Sequence, residues 1–280
     1  MTAAARSSRT QIRRNLRTKV PRPALAGDLR LSLIVPAYRE VDQIGETVIR
    51  IRDELGSELA AGELEIVVVD DGSDDATAEA ASIAGADRVV ALGANRGKGG
   101  AIRAGVEVAS GRVMAFTDAD LAYSPAQVLR ILQEVEEGWD IAIGSRRHPD
   151  ADAVVAPGFV REVGSRAINA ATRLVLVGGY VDTQCGLKGF RSDVGRLLFG
   201  LGRVDGFAFD IELLALAELH GFSVAEVPVS LESSDTSTVN VARDALDLLV
   251  DMVRIRRWTR EGVYDLTAEE LGHLTVGDDG

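Results

Sequence analysis

A regular alternation of short apolar runs with amphipathic stretches constrains this chain most. Leu64 to Asp70 carries Ile66-Val67-Val68-Val69 without a polar break, as expected of a strand covered on both faces and therefore of the parallel type. Arg30 to Pro36 reads as a first strand ended by its proline, and Arg88 to Leu92, the run ending at Asp118, and Asp140 to Gly144 read as later ones. Ile44 to Leu59, the Ala-rich stretch that Ser73 or Asp75 can cap, the stretch after Gly100 to about Ser110, and Ser124 to Gly138 read as the helices between them. Strands and helices in this order predict an α/β fold with a mostly parallel central sheet flanked by helices. Ligands bind such sheets at the carboxyl ends of the strands. The polar clusters at Pro36 to Glu40, Asp70 to Ser73, Asn95 to Gly100, Asp118 to Asp120 and Ser145 to Arg147 are therefore expected on one rim.

The second half is less regular. A helix from about Phe159 to Leu176 precedes the polar block Asp182-Thr183-Gln184-Cys185-Gly186. Helices are expected near Ser192 to Phe199 and from Phe209 to Leu219, with a strand at Phe222 to Leu231. From about Val239 to Trp258 a long helix places Ala242, Ala245, Leu246, Leu249, Met252 and Val253 along one stripe and Asp244, Asp247, Asp251 and Arg254 along the other. It ends in Arg254, Arg256, Arg257 and Arg260, which suit a helix C-terminus through the dipole or a membrane surface.

Composition removes several classes of function. A net charge of −12 argues against a nucleic-acid binder. Cys185 is the single cysteine, so no intramolecular disulfide framework exists, and a reducing compartment suits it. His148, His220 and His273 lack ligand spacing, which disfavours zinc. No apolar run approaches the roughly 18 residues of a bilayer span, so a cytoplasmic protein, peripheral at the cytoplasmic face of a membrane, is expected. Residues 1 to 27 form a basic, flexible N-terminal arm with seven Lys and Arg and no acid. It is either a leader without a partner or a grip on an anionic surface at about 1 kcal/mol per residue. Residues 236 to 280 make a C-terminal unit of amphipathic helix and acidic tail, ending Gly277-Asp278-Asp279-Gly280.

The chemistry centres on Asp118-Ala119-Asp120. In extended backbone an i, i+2 spacing puts both carboxylates on one face, where hard oxygen ligands suit Mg2+ or Mn2+ with positions left open for phosphates. A solvated turn after a strand is the bland alternative. Lys98 lies among glycines that let backbone approach a ligand closely, but Gly97-Lys98-Gly99-Gly100 is not the phosphate loop of an ATPase. Two carboxylates of a glycoside hydrolase flank the scissile bond about 5 to 9.5 Å apart, usually from separate elements. Neighbouring acids fit metal binding better.

Seven segments together resemble the GT-A fold, family 2 glycosyltransferases, and among them the dolichyl-phosphate β-glucosyltransferases, with the dolichyl-phosphate mannose synthases as cousins. They are Ile34 to Glu40, Val68 to Ser73, Asn95 to Arg103, Asp118 to Asp120, Gly144 to Arg146, Asp182 to Gly186 and Phe207 to Asp210. The resemblance implies a GT-A catalytic domain over 28 to 235, a nucleotide-sugar donor and a polyprenyl phosphate acceptor. It places Pro36, Tyr38 and Glu40 at the nucleoside, Val69 and Asp71 at base and ribose, and Lys98, Asp118, Ala119 and Asp120 with the donor. Asp118 and Asp120 would hold Mg2+ or Mn2+, Asp120 the more directly. Two residues beyond Asp120, where the archaeal mannose synthase pattern has a further polar ligand, this chain has Ala122. Asp70 reads better as a cap than as a ligand.

On the acceptor side the resemblance implies Arg146 and Arg161 as phosphate-orienting cations, with Gln184 shaping the pocket. A surface salt bridge is the alternative for Arg161. Asp210 stands where related enzymes keep a base for hydroxyl acceptors, although an acid at a helix N-terminus needs no such role. Cys185 is expected to be packed rather than reactive. The implied activity is inverting, metal-dependent transfer of glucose from UDP-glucose to a polyprenyl phosphate, reached through the arm, the last helix or a membrane-protein partner. Mannosyl or N-acetylglucosaminyl transfer, a soluble acceptor, and a non-catalytic sugar-nucleotide scaffold are the rivals.

Overall fold

The computed structural model describes residues 18, 19, 21–151, 172, 175, 176, 179–232 and 241–267, with only the backbone for 241–246. Arg161, nearly all of the helix expected from Phe159 to Leu176, most of the basic arm and the acidic tail lie outside the described residues. The strands are β1 (Leu31–Ala37), β2 (Leu64–Asp70), β3 (Arg88–Ala91), β4 (Val113–Phe116), β5 (Ile141–Ser145), β6 (Lys188–Arg191) and β7 (Val224–Pro228). The α-helices are α1 (Ile44–Gly56), α2 (Thr77–Ile83), α3 (Lys98–Val108), α4 (Val128–Glu136), α5 (Ser192–Leu201), α6 (Phe209–His220) and α7 (Val241–Arg260).

The strands form one sheet in the order β3-β2-β1-β4-β6-β5-β7. Alternate residues of the central strands enter two cores, which is why these strands read as unbroken apolar runs. Ile34, Val67, Val69, Met114 and Phe116 face α3, α5, α6 and α7. Leu33, Val35, Ile66, Val68 and Ala115 face α1, α2 and α4. The chain runs outward from β1 through β2 to β3, then returns to place β4 on the other side of β1. That reversal opens a crevice between the ends of β1 and β4, the usual ligand position in such sheets.

Several expectations are corrected. Pro36 does not end β1; it lies inside it, opposite Val69, and the strand continues to Ala37. β6, absent from the sequence pattern, runs antiparallel between β4 and β5. Its Lys-Gly-Phe-Arg sequence is too polar to read as a buried strand. Along α7 the buried stripe is Leu248, Met252 and Ile255, whereas Leu249 and Val253 are exposed. Leu248-Leu249-Val250 is apolar throughout, so its period alone does not choose the face; contact with α6 does.

The end of the basic arm is pinned rather than free. Lys19 pairs with Glu137 at 3.2 Å, and Pro23 O accepts from Arg191 Nη2 at 2.8 Å. Arg22 pairs with Asp140 at 3.0 Å and stacks over Phe222 at 5.2 Å. Asp140, fully buried, also accepts from the backbone N–H and hydroxyl of Ser223 at 2.8 and 3.0 Å. These bonds tie the starts of β5 and β7 together at the end of the sheet opposite the rim. Asp140→Ala leaves those donors unpaired at a cost of about 2 to 3 kcal/mol. Thermal unfolding is expected to show a melting temperature several degrees lower, with the rim unperturbed; an unchanged melting temperature would refute this anchoring role.

Candidate active site

β4 stops at Phe116, and the acids beyond it lie in a turn closed by Leu121 N donating to Asp118 O at 3.1 Å. An extended backbone therefore does not bring them together, as the spacing alone suggested. The turn includes Leu121 in the left-handed region at φ +45°, an uncommon conformation for a bulky residue. Ala119 is buried, and its carbonyl accepts from the Thr47 hydroxyl at 2.6 Å, which fixes the turn to α1. Asp120 stands at the exposed edge and accepts from Ala122 N at 3.1 Å. Desolvation by the surrounding protein, with the charge of Asp118 added, pushes the Asp120 carboxyl up. Burial and the nearby Asp120 charge likewise push Glu40 up. Asp120 is thus the acid whose charge both Asp118 and Glu40 sense.

Asp118 is ion-paired with Lys98 through Oδ1. Its Oδ2 lies against Gly186, where a Cβ would overlap the carboxylate. Burial disfavours the Lys98 ammonium, but Asp118 and, next, Asp210 outweigh it and raise the lysine above its ordinary value.

The glycines around Lys98 serve packing rather than a ligand's approach, which corrects the sequence expectation. A Cβ on Gly99 would stand 2.8 Å from Val204 O and 2.6 Å from Phe209 Cβ. One on Gly97, at φ +85°, would stand 2.7 Å from Asp205 O. That carbonyl accepts from Gly99 N at 2.8 Å and Gly100 N at 3.2 Å, so first-turn donors of α3 are already satisfied. Asp71 holds the preceding loop, accepting from Arg96 N at 2.7 Å and Gly97 N at 2.8 Å. Asp70 accepts from Ser73 N at 3.0 Å, closing the turn over Gly72 rather than capping α2.

Behind Lys98 lies a residue the sequence did not single out. Lys188, 1% exposed, pairs with Asp210 at 2.7 Å, donates to Cys185 O at 2.6 Å and stands 5.7 Å over the Phe116 ring. Its signal was a lysine two residues before Phe190 in the short β6, a charge on a face that must be buried. Asp210 is itself 5% exposed. Burial pushes its carboxyl up against the opposing effect of Lys188 and Lys98. It sits in the first turn of α6 as expected, buried and ion-paired with Lys188.

On the other side of the rim Arg146 binds Asp182 through Nε at 2.6 Å and Nη2 at 2.8 Å, while its backbone N–H donates to the same carboxylate at 3.2 Å. Burial works against the Asp182 charge, but Arg146 overcomes it and holds the carboxyl below its usual range. Residues 182 to 186 thus span the rim, gripped by Arg146 at one end and seating Asp118 at the other. Cys185 between them is fully buried, and burial pushes its thiol up, as expected of a packed cysteine. Ser145 and Thr183 bury hydroxyls without a hydrogen-bond partner among the described residues.

Of the remaining candidates, Tyr38 is 41% exposed with the Arg39 guanidinium 5.2 Å over its ring, and Pro36 and Gln184 are half-buried. Val69 is corrected: it is 0% exposed in the core and does not reach the rim. Among the described residues no group of three or more His, Cys, Asp or Glu forms a ready metal cage. Asp118 and Asp120 nevertheless fit Mg2+ or Mn2+, because such ions bind through one or two carboxylates when substrate phosphates and water complete the shell.

Three comparisons bear on this site. A family model described as Glycosyl transferase family 2 matches residues 32–194. The dolichyl-phosphate beta-glucosyltransferase of Dictyostelium discoideum is 31% identical over 243 residues, covering 82% of this chain and 74% of that relative. Its Drosophila melanogaster namesake is 35% identical over 249 residues, covering 83% and 75%. Among solved structures, glucosyl-3-phosphoglycerate synthase from Mycobacterium tuberculosis, in complex with Mn2+, uridine diphosphate and glucosyl-3-phosphoglycerate, superposes with a TM-score of 0.60 at 24% identity. That match covers 90% of this chain and 88% of the other and shows the fold.

The depressed Asp182 carboxyl gives a pH test. A group whose folded pKa lies below its unfolded value, about 3.9 for Asp, contributes stability above that value and loses it as pH falls through the folded pKa. Asp182→Asn is expected to lower the melting temperature by a constant amount from pH 7 down to about 4, with the gap narrowing below. A gap independent of pH down to acid unfolding would refute the pairing.

Proposed function

The chain belongs to glycosyl transferase family 2 and has the GT-A fold, and from that footing we propose inverting transfer of glucose from UDP-glucose to a polyprenyl phosphate. The observation that supports it best is the segment 182 to 186, which couples the acidic turn to Arg146 across one rim. A donor diphosphate and an acceptor phosphate then meet between an acidic, lysine-bearing half and an arginine half.

Asp118 and Asp120 would hold Mg2+ or Mn2+, which when bound supplies positive charge to the departing diphosphate. Lys98, already at the same carboxylate, adds a protein charge to that diphosphate. Tyr38 offers its exposed ring to the nucleoside, with Pro36 and Glu40 beside it, while Asp71 acts by holding the loop that carries Lys98. Arg146, preset by Asp182, orients the acceptor phosphate; its planar fork suits phosphate oxygens better than an ammonium. A phosphate monoester with a second pKa near 6 is already largely ionised at neutral pH, so the acceptor needs no base, and the buried Asp210 fits that chemistry. Attack from the face opposite the diphosphate inverts the anomeric carbon. Gln184, half-buried beside Arg146's partner segment, is assigned to the sugar or acceptor pocket.

No helix among the described residues is long and apolar enough to cross a membrane. A face that could meet the lipid is offered by α7, where Val253 is 70%, Leu249 46% and Val250 43% exposed, near Arg254 and Arg257. A soluble phosphorylated acceptor is the second reading, favoured by the glucosyl-3-phosphoglycerate held in the M. tuberculosis structure.

Incubation with radiolabelled UDP-glucose, Mn2+ and polyprenyl phosphate is expected to give a β-linked lipid product. Asp120→Asn is expected to lower kcat about 100-fold or more, the scale of losing one stabiliser of a developing anion. Equal turnover by both proteins would remove the mechanism, and transfer to 3-phosphoglycerate but not to lipid would replace the acceptor.

A further inference from the structure

One oxygen of Asp118 is already paired and the other packs against a glycine. Oδ1 is covered by the Lys98 ammonium, and Oδ2 lies where a Cβ of residue 186 would stand. Asp120, by contrast, is at the exposed edge and accepts within its own turn from Ala122 N. The donor-free site therefore presents one open carboxylate, Asp120, and one, Asp118, whose Oδ1 a protein cation already holds.

Lys98 is fixed to this place by the backbone of α3 and not by the length of its side chain. Gly97 and Gly99 nest against Asp205, Val204 and Phe209, which seats the first residue of α3 beside both Asp118 and Asp210. Asp210 also attracts the ammonium, but Lys188 already pairs with that carboxylate at 2.7 Å, so the ion pair of Lys98 is with Asp118. An anion brought to the rim can draw the ammonium off that oxygen.

Resting on the metal-dependent transfer proposed above, we infer that Lys98 occupies the oxygen of Asp118 that a divalent cation would use, so that cation and diphosphate bind together. An incoming diphosphate offers the ammonium new oxygens, and Oδ1 becomes available to the cation that the same diphosphate helps to coordinate. Each ligand then strengthens the other, as reciprocal coupling requires. In the absence of a diphosphate the lysine acts as a built-in counter-ion, keeping the acids from repelling each other and the cation from binding unproductively.

Free Mn2+ can be measured by electron paramagnetic resonance with the full chain, with and without UDP. Wild type is expected to bind Mn2+ weakly on its own. Lys98→Met, or Lys98→Gln should the first variant melt early, is expected to bind it about tenfold or more tightly without UDP, the scale of removing one close competing charge. Lys98→Arg is expected to behave as wild type. UDP is expected to tighten Mn2+ binding more in wild type than in the neutral variants. Equal Mn2+ affinity of wild type and both neutral variants without UDP, while UDP still promotes binding in all of them, overturns the inference and leaves the metal-dependent reading standing. No Mn2+ binding in any protein even with UDP overturns both.

Discussion

The close approach of α3 to the segment leading into α6 governs the geometry of the rim. Two backbones meet there because Gly97 and Gly99 have no Cβ to keep Val204, Asp205 and Phe209 away. Asp205 O takes the N–H groups of Gly99 and Gly100, so a helix start that would otherwise attract an anion is closed by protein. The consequence is a transfer of function from backbone to side chain. Where a phosphate loop presents N–H groups, this site presents one ammonium, and an ammonium on a flexible stem can exchange one oxygen partner for another.

That exchange is feasible because the charges beneath the rim alternate. Lys188, Asp210, Lys98 and Asp118 follow one another, and the first two are nearly fully buried. An isolated charge so deep would be expelled by desolvation, whereas paired neighbours of opposite sign are retained. Removing one member leaves its partner unpaired, so the row behaves as a unit. Its outer end alone, at Lys98 and Asp118, is partly open to solvent, with side chains 19% and 31% exposed. Rearrangement is confined to the end where a ligand arrives.

Much of this architecture was legible in the sequence, for physical reasons that can be named. Ile66 to Val69 shows no alternation because both faces of β2 are covered, and that alone implies helices above and below. Polar residues after each run mark strand exits, and the order of the strands brings those exits to one crevice. The packing of the helix starts was not legible. Gly97 and Gly99 look the same whether a ligand or another backbone approaches them, and Asp205 carries no local sign that its carbonyl will close a helix. Lys188 escaped notice because β6 is four residues long and two of them are basic. The spacing of Asp118 and Asp120 predicts a strand end, whereas Leu121 at φ +45° and the anchored Ala119 carbonyl place both acids in a turn. Val69, which the resemblance places at base and ribose, is removed from the rim by the two-sided burial of β2.

The placement of Asp210 has a bearing on the kind of acceptor the site suits. A hydroxyl must lose a proton as it attacks, so an enzyme acting on one keeps a carboxylate or imidazole within hydrogen-bond reach of the acceptor oxygen. Here Asp210 is 5% exposed and bound to a buried lysine that offsets only part of the burial disfavouring its charge. A phosphate acceptor makes no such demand, since it arrives as an anion; what it requires is a cation that holds it in line with the departing diphosphate. On the proposed transfer Arg146 is that cation; two bonds to Asp182 fix its guanidinium, and Asp182 belongs to the segment whose other end, Gly186, packs on Asp118. On that reading, orientation of the acceptor and readiness of the acidic turn are joined through the five residues of backbone from Asp182 to Gly186.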